Sequence, residues 1–232
     1  IAASTVYYAE AGKTSTGCVS LSRTAVTATI NPLPTVSFTV QPGATACSNT
    51  DVSYTTQSGQ SNYLWTVPGV LNTDYTITSG GTGITSNTVT LKWLTAGSKT
   101  VSVNYTNSNG CTAATATSTT TTVTLSPTTA TAGSAQTICA NSTATLSGNT
   151  PGIGTGAWTI TGTNTSTSQL SSTTDPAAVF TPASSGSYTV TWTITNGSCT
   201  SSASSTITVN ALSVGGSVAS AQTICSGSTP AS

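Results

Sequence analysis

The chain has 232 residues, with four basic and four acidic side chains, no histidine, no methionine and six cysteines. Charged residues make up 3% of it, against about 25% in an ordinary soluble domain, and 56 Thr and 37 Ser supply its polarity instead. Four scattered cations cannot form the basic patch that nucleic acid or an anionic membrane selects. Four carboxylates without an imidazole are a poor stock for metal binding or general acid–base chemistry, so the composition argues for a scaffold or binding surface with no cofactor, not for an enzyme.

Leu, Ile, Val and Phe total 39 residues, about 17% of the chain and below the roughly 20% floor associated with disorder. Disorder also requires high net charge, and here the net charge is zero. Thirteen aromatics sit inside alternating segments. The composition therefore suits several small cores better than one large one.

In chain order, residues 5–30 (TVYYAEAGKTSTGCVSLSRTAVTATI) read as a terminal hairpin, with Cys18 behind a TSTG turn, followed by a short joint at Asn31–Pro34. Cys47 lies in ATACSNT, and NYLWTVPG at 62–69 carries Trp65. TLKWL, around Trp93, does not alternate cleanly. Residues 97–111 (GSKTVSVNYTNSNGC) alternate Val101, Val103 and Tyr105 with polar residues, the period of a half-buried strand. A turn before Cys111 hands over to a Thr-rich final strand ending at Leu125, and a joint follows at Ser126–Pro127.

The second half repeats this order. Cys139 lies in QTICANS, Trp158 in TGAWTITG (155–162), and Tyr188, Val190, Trp192 and Ile194 alternate within GSYTVTWTITNGSC (186–199). A final strand runs from Cys199 to Val209, a joint follows at Asn210–Ala211, and QTICSGS around Cys225 opens the pattern again.

Two cysteine series are interleaved. Cys18, Cys111 and Cys199 follow turns, while Cys47, Cys139 and Cys225 lead repeats; the spacings are 93 and 88 in one series, 92 and 86 in the other. A tandem repeat of about ninety residues follows. It divides the chain into the end of a preceding repeat (1–31), two full repeats (32–125 and 126–210) and the start of another (211–232). The expected disulfides join unlike types within one repeat, Cys47 with Cys111 and Cys139 with Cys199. Each closes a loop of about sixty residues, a stabilisation of around 4 kcal/mol in the chain-entropy model. Cys18 and Cys225 are then half-bridges to repeats outside this sequence. A zinc site is excluded by spacing, because no two cysteines lie within four residues of each other. Disulfides imply an oxidising, extracellular or cell-surface setting. The sequence also opens within a strand pattern and holds no signal peptide or membrane-spanning apolar run, as expected of a window from a longer array.

Short strands at regular spacing, with a Cys–Trp–Cys order in each repeat, predict all-β tandem immunoglobulin-like β-sandwiches, each with one intradomain disulfide. Trp65 and Trp158, about eighteen and nineteen residues behind their leading cysteines, are expected in the core against that disulfide, and Trp192 in the core by its alternation. Trp93 is the expected exposed tryptophan and candidate contact residue.

The pattern G-S-[KY]-T-V-[ST]-[VW] followed by N…G-C, with an upstream Y-x-W or G-A-W strand, resembles the PKD-like and Ig-like repeats of giant surface adhesins of Bacteroidota. The joints at 6–32 and 215–232 carry the closest resemblance. It implies type IX secretion, surface anchoring, and adhesion or gliding motility, as in SprB-type gliding adhesins. WTVPG and WTITG stand where typical PKD domains have W-D-F-G-D-G, and no sorting domain is present in the sequence.

The expected function is thus a non-catalytic stalk whose partners are neighbouring repeats and a polysaccharide or solid surface, with lateral self-association open, and neither nucleic acid nor membrane insertion involved. One alternative is a carbohydrate-binding or spacer array of a secreted polysaccharide-degrading enzyme, which a solvent-facing aromatic row would favour. Another is an ice-binding array, suggested by TAATATSTTTTVT (112–124), although threonine is also simply a good strand former. Sequons at Asn104, Asn141, Asn164 and Asn196 are weak signals in so Ser/Thr-rich a chain. Asp51, Asp74 and Asp175 form no calcium loop by spacing.

Overall fold

Alternation of apolar and hydroxyl residues leaves each strand one face to bury. The computed structural model of the protein describes residues 4–216, 221 and 223–229. They fold into two compact units: residues Ile1–Ser126 with Asn196–Cys199, and Pro127–Thr195 with Thr200–Ser232.

The first unit opens with β1 (Thr5–Ala9), β2 (Gly12–Lys13), β3 (Cys18–Val19) and β4 (Thr24–Ala28). β1 pairs with β4 and β2 with β3, both antiparallel, the hairpin expected of this segment. Next come β5 (Phe38–Val40), β6 (Thr45–Cys47), β7 (Asp51–Thr56), β8 (Ser61–Thr66), β9 (Tyr75–Gly80), β10 (Thr88–Trp93), β11 (Gly97–Thr106) and β12 (Thr117–Thr124). They form two four-stranded sheets, ordered β5-β7-β10-β9 and β6-β12-β11-β8. Lettered by chain position, these are A-B-E-D and A′-G-F-C, the two sheets of an immunoglobulin-like sandwich. β6 runs parallel to β12, with Cys47 in register with Thr124.

The second unit follows with β13 (Gln136–Cys139), β14 (Ala144–Thr145), β15 (Thr155–Gly162), β16 (Val179–Phe180), β17 (Gly186–Asn196) and β18 (Cys199–Asn210). The sheet β13-β18-β17-β15 repeats the A′-G-F-C order, and β14 pairs with β16 as B with E. β13 is again parallel to the final strand, with Cys139 in register with Asn210.

Each unit has its own core. Val52, Tyr54, Trp65, Val89, Leu91, Trp93, Val101, Val103 and Val123 interleave between the sheets of the first. Leu146, Trp158, Ile160, Phe180, Tyr188, Val190, Trp192, Ile194, Ile207 and Val209 do so in the second. Burial pushes the Tyr54 phenol above its ordinary range. Trp158 and Trp192 are cross-strand partners with ring centroids 4.9 Å apart. Gly156 leaves the room they need, since a Cβ there would lie 2.0 Å from the Trp192 ring. A buried hydroxyl on each final strand ties down the chain ahead of the leading strand: Thr121 Oγ1 donates to Gly43 O at 3.1 Å, and Ser205 Oγ to Ser134 O at 2.8 Å.

Trp93 is fully buried, contrary to the exposure expected from its sequence context. Val89, Leu91 and Trp93 face inward along β10, which β7 and β9 flank on both sides. The strand ends at Trp93, so Leu94 lies outside the alternation it disturbs in the sequence. The Lys99 ammonium lies 5.4 Å from the centre of the Trp93 ring.

Candidate functional site

The cysteines depart most from expectation. Cys47 is bonded to Cys199, and Cys18, Cys111, Cys139 and Cys225 are free thiols. The pairings Cys47–Cys111 and Cys139–Cys199 do not form, and the Cys47–Cys199 bond lies within the first compact unit, which takes in Asn196–Cys199. Parallel pairing explains this. It places Cys47 beside Thr124, at the far end of β12, while Cys111 sits in the turn before β12 begins. The eight residues of β12 alone separate those ends by more than 20 Å at about 3.3 Å per residue, where a disulfide needs Cα atoms within about 7 Å. Cys139 and Cys199 likewise mark opposite ends of the twelve-residue β18.

Neither sandwich tryptophan packs on a disulfide. Trp65 lies against Phe38, at 6.2 Å between ring centres, and Trp158 against Trp192. Their indole N–H groups donate to Ser86 O and Asp175 O, at 2.8 and 2.9 Å. With Trp65 at 6% exposure and Trp93, Trp158 and Trp192 at 1% or less, the four tryptophans offer no stacking row to a sugar.

The outward faces of the A′-G-F-C sheets carry paired hydroxyls instead. Thr100 and Thr120 are register partners with Oγ1 atoms 2.9 Å apart, and Ser98 faces Thr122. Across β17 and β18, Thr191 pairs with Ser204 at 2.8 Å and Thr193 with Ser202 at 2.9 Å. A hydroxyl can both donate and accept, so each pair satisfies itself and still meets water without a charge. A shallow depression of about 530 Å³ on the first unit is lined by neutral groups, among them Thr55, Gln57 and Asn87.

The three aspartates stay apart, each serving its own loop or strand. Asp51 Oδ1 accepts from Thr78, and Asp175 Oδ1 from Ala177 N. Asp74 accepts from Val70 N at 2.8 Å and Thr95 Oγ1 at 3.1 Å. The bond from Val70 N, then that from Thr95 and the nearby Lys99 charge, holds its carboxyl below the usual range. Among the described residues, no group of three or more His, Cys, Asp or Glu is placed to hold a metal. No helix among them is long and apolar enough to cross a membrane. Of the sequon asparagines, Asn104 donates to Ala113 O, Asn164 accepts from Ser166 N, Asn196 donates to Leu125 O, and Asn141 is exposed with φ 70°.

Two asparagines hold the joints: Asn107, which the sequence did not single out, and Asn196, noted there only as a sequon. Asn196 Nδ2 donates to Leu125 O at 2.8 Å, and Asn107 Nδ2 to Pro32 O at 3.3 Å. Each opens the turn that leads to a hairpin cysteine. Their recurrence, in NSNGC and NGSC, was the available signal.

No protein-family model matches the chain, and no curated protein does. Solved structures that resemble it include a chimeric titin Z1Z2-Z1Z2 tandem, at 17% identity over 76% of this chain and 100% of that one, with a TM-score of 0.30. Extracellular domains 3–5 of Drosophila OTK match at 12% identity over 83% and 69% of the two chains, TM-score 0.39. Fibronectin(III)-like modules of Clostridium thermocellum CbhA match at 14% over 76% and 95%, TM-score 0.33. The immunoglobulin-like assignment rests on the strand order described above.

Proposed function

We propose that this chain is a non-catalytic stalk segment of a large extracellular repeat adhesin. Residues 32–125 and 126–210 are its two full repeats, 1–31 the terminal hairpin of a preceding one and 211–232 the start of the next. The observation that carries the reading is the repeated A′-G-F-C sheet with an uncharged, self-paired hydroxyl face and its tryptophans turned inward. Such a surface changes little with salt. The buried tryptophans support a stalk over the carbohydrate-binding array of a secreted polysaccharide-degrading enzyme, which needs an aromatic platform in solvent.

On the sequence resemblance, the stalk belongs to a type IX-secreted Bacteroidota surface adhesin and extends a tip toward a polysaccharide or solid surface, in adhesion or gliding. The test is labelling of intact, unpermeabilised cells with an antibody raised against this chain, with and without protease shaving. Surface label lost on shaving is the expected result. Label only after lysis, or co-purification of polysaccharide hydrolase activity with the full-length product, would overturn it.

A further inference from the structure

The cysteines of each series occupy equivalent places. Cys47 ends β6 opposite Thr124, Ser48 N donates to Thr124 O at 2.8 Å, and Asn49 takes φ 59°. Cys139 ends β13 opposite Asn210, Ala140 N donates to Asn210 O at 2.8 Å, and Asn141 takes φ 70°. Cys225 heads the same turn: Gly227 has φ 91°, and Ser228 N donates to Cys225 O at 3.1 Å, as Ser142 N does to Cys139 O at 3.0 Å. Cys47 and Cys139 thus each lie at the finished end of their repeat's last strand, where the joint begins, and Cys225 shares their turn.

The hairpin cysteines meet the joint from the other side. Cys199 has its sulfur 3.9 Å from Thr124 O, with Asn196 on Leu125. Cys111 has its sulfur 3.9 Å from Asn31 O, with Asn107 on Pro32. Cys111 is therefore held against the joint ahead of its repeat as Cys199 is, but the first 31 residues contain no leading cysteine to meet it.

We propose that the covalent bridge of this protein belongs to the joint: the leading cysteine of each repeat bonds the hairpin cysteine of the next. Cys47–Cys199 is one such bridge. Cys111 is the open half of the bridge before it, and its partner is the leading cysteine of the repeat that ends at residue 31. Cys139 is the open half of the bridge after it, and its partner is the hairpin cysteine of the repeat beginning at residue 211. Cys18 and Cys225 continue the two series outward. Each bridge forms when two thiols give up two protons and two electrons to a disulfide oxidant of the thiol–disulfide exchange class, which leaves as two thiols. The result is a chain whose every joint is closed by a bond and whose sandwiches contain none. A spacer array of an enzyme would carry the same bridges, so the inference stands apart from the stalk reading.

The test is peptide mapping without reduction, after alkylation of free thiols, on two proteins. One is the full chain. The other is the full chain with a second copy of residues 126–210, its leading cysteine replaced by serine, inserted after Asn210. The full chain should give one bridge, Cys47–Cys199, and four alkylated cysteines. The extended chain should give that bridge plus a second, from Cys139 to the inserted copy's hairpin cysteine. An alkylated Cys139 beside an intact Cys47–Cys199 bridge in the extended chain would overturn the rule. The Cys199→Ser variant of the full chain provides an independent arm. Cys47 should join the alkylated set there, and a Cys47–Cys111 bridge would overturn the proposal.

Discussion

Cys47 and Cys199 are 152 residues apart in sequence and joined by a disulfide, their Cα atoms 5.8 Å apart. The bond closes a loop that takes in β7 to β12 and the chain from there to Cys199, because Cys47 ends its parallel strand beside Thr124 and Cys199 follows the turn at Asn196.

Reducing this bond should lower stability without dismantling either core, since neither cysteine belongs to a core cluster. In the chain-entropy model a loop of this length is worth about 5 kcal/mol, an upper figure where the two units unfold separately. Thermal scans with and without reductant should show a lower Tm for the first unit, with the far-UV strand signal retained at 25 °C. Loss of that signal on reduction would show that the cores depend on the bridge.

Trp93→Ala should destabilise the first unit by about 3–5 kcal/mol, the range for removing a large aromatic from a packed core. Leu64→Ala, at a side chain 67% exposed, should stay within about 0.5 kcal/mol. Urea titration followed by tryptophan emission compares the two, and the unmutated chain should resist acrylamide quenching until it unfolds. Equal, small costs would return Trp93 to the surface.

Gly156→Ala should destabilise the second unit by about 1–3 kcal/mol or more, because the new methyl would overlap the Trp192 ring. The control is Gly152→Ala, whose Cβ would meet only Thr128 Oγ1, at 3.6 Å. Denaturant midpoints and the near-UV circular dichroism of the Trp158–Trp192 pair check both. A harmless Gly156→Ala would mean that the indoles are less tightly packed than described.

With no histidine and four acids, stability should vary little between about pH 5 and pH 8, where histidine would otherwise titrate. Asp74 has a lowered pKa, so its contribution is present above the ordinary carboxylate value of 3.8 and is lost as pH falls through the folded value below it. Tyr54 has a raised pKa, so stability is retained below 10.0 and lost as pH rises beyond it. Asp74→Asn should remove part of the acid limb and leave the alkaline one unchanged. Stability curves across pH that are identical for both chains below pH 4 and above it would refute the assignment.

The strands themselves were legible in the residues. Period-two runs such as Val101–Val103–Tyr105 and Tyr188–Val190–Trp192–Ile194 fix which face is buried, because side chains in a strand must alternate. The ninety-residue period came from the cysteine series and the burial of Trp192 from alternation, whereas Trp65 and Trp158, placed by their spacing from a cysteine, are buried without the disulfide expected beside them. Trp93 did not, because an adjacent leucine in sequence conceals where a strand stops.

The sequence by itself determined a neutral, hydroxyl-rich tandem β repeat with two interchangeable cysteine series. A bond from Cys47 to Cys111 and one from Cys47 to Cys199 both join unlike types, so spacing cannot separate them. Only the tertiary structure decided between them. Leading strands run parallel to final strands, which carries Cys47 and Cys139 to the opposite end of their sheets from Cys111 and Cys199. A disulfide spans only a few ångströms, and strand direction settles which sulfurs come that close.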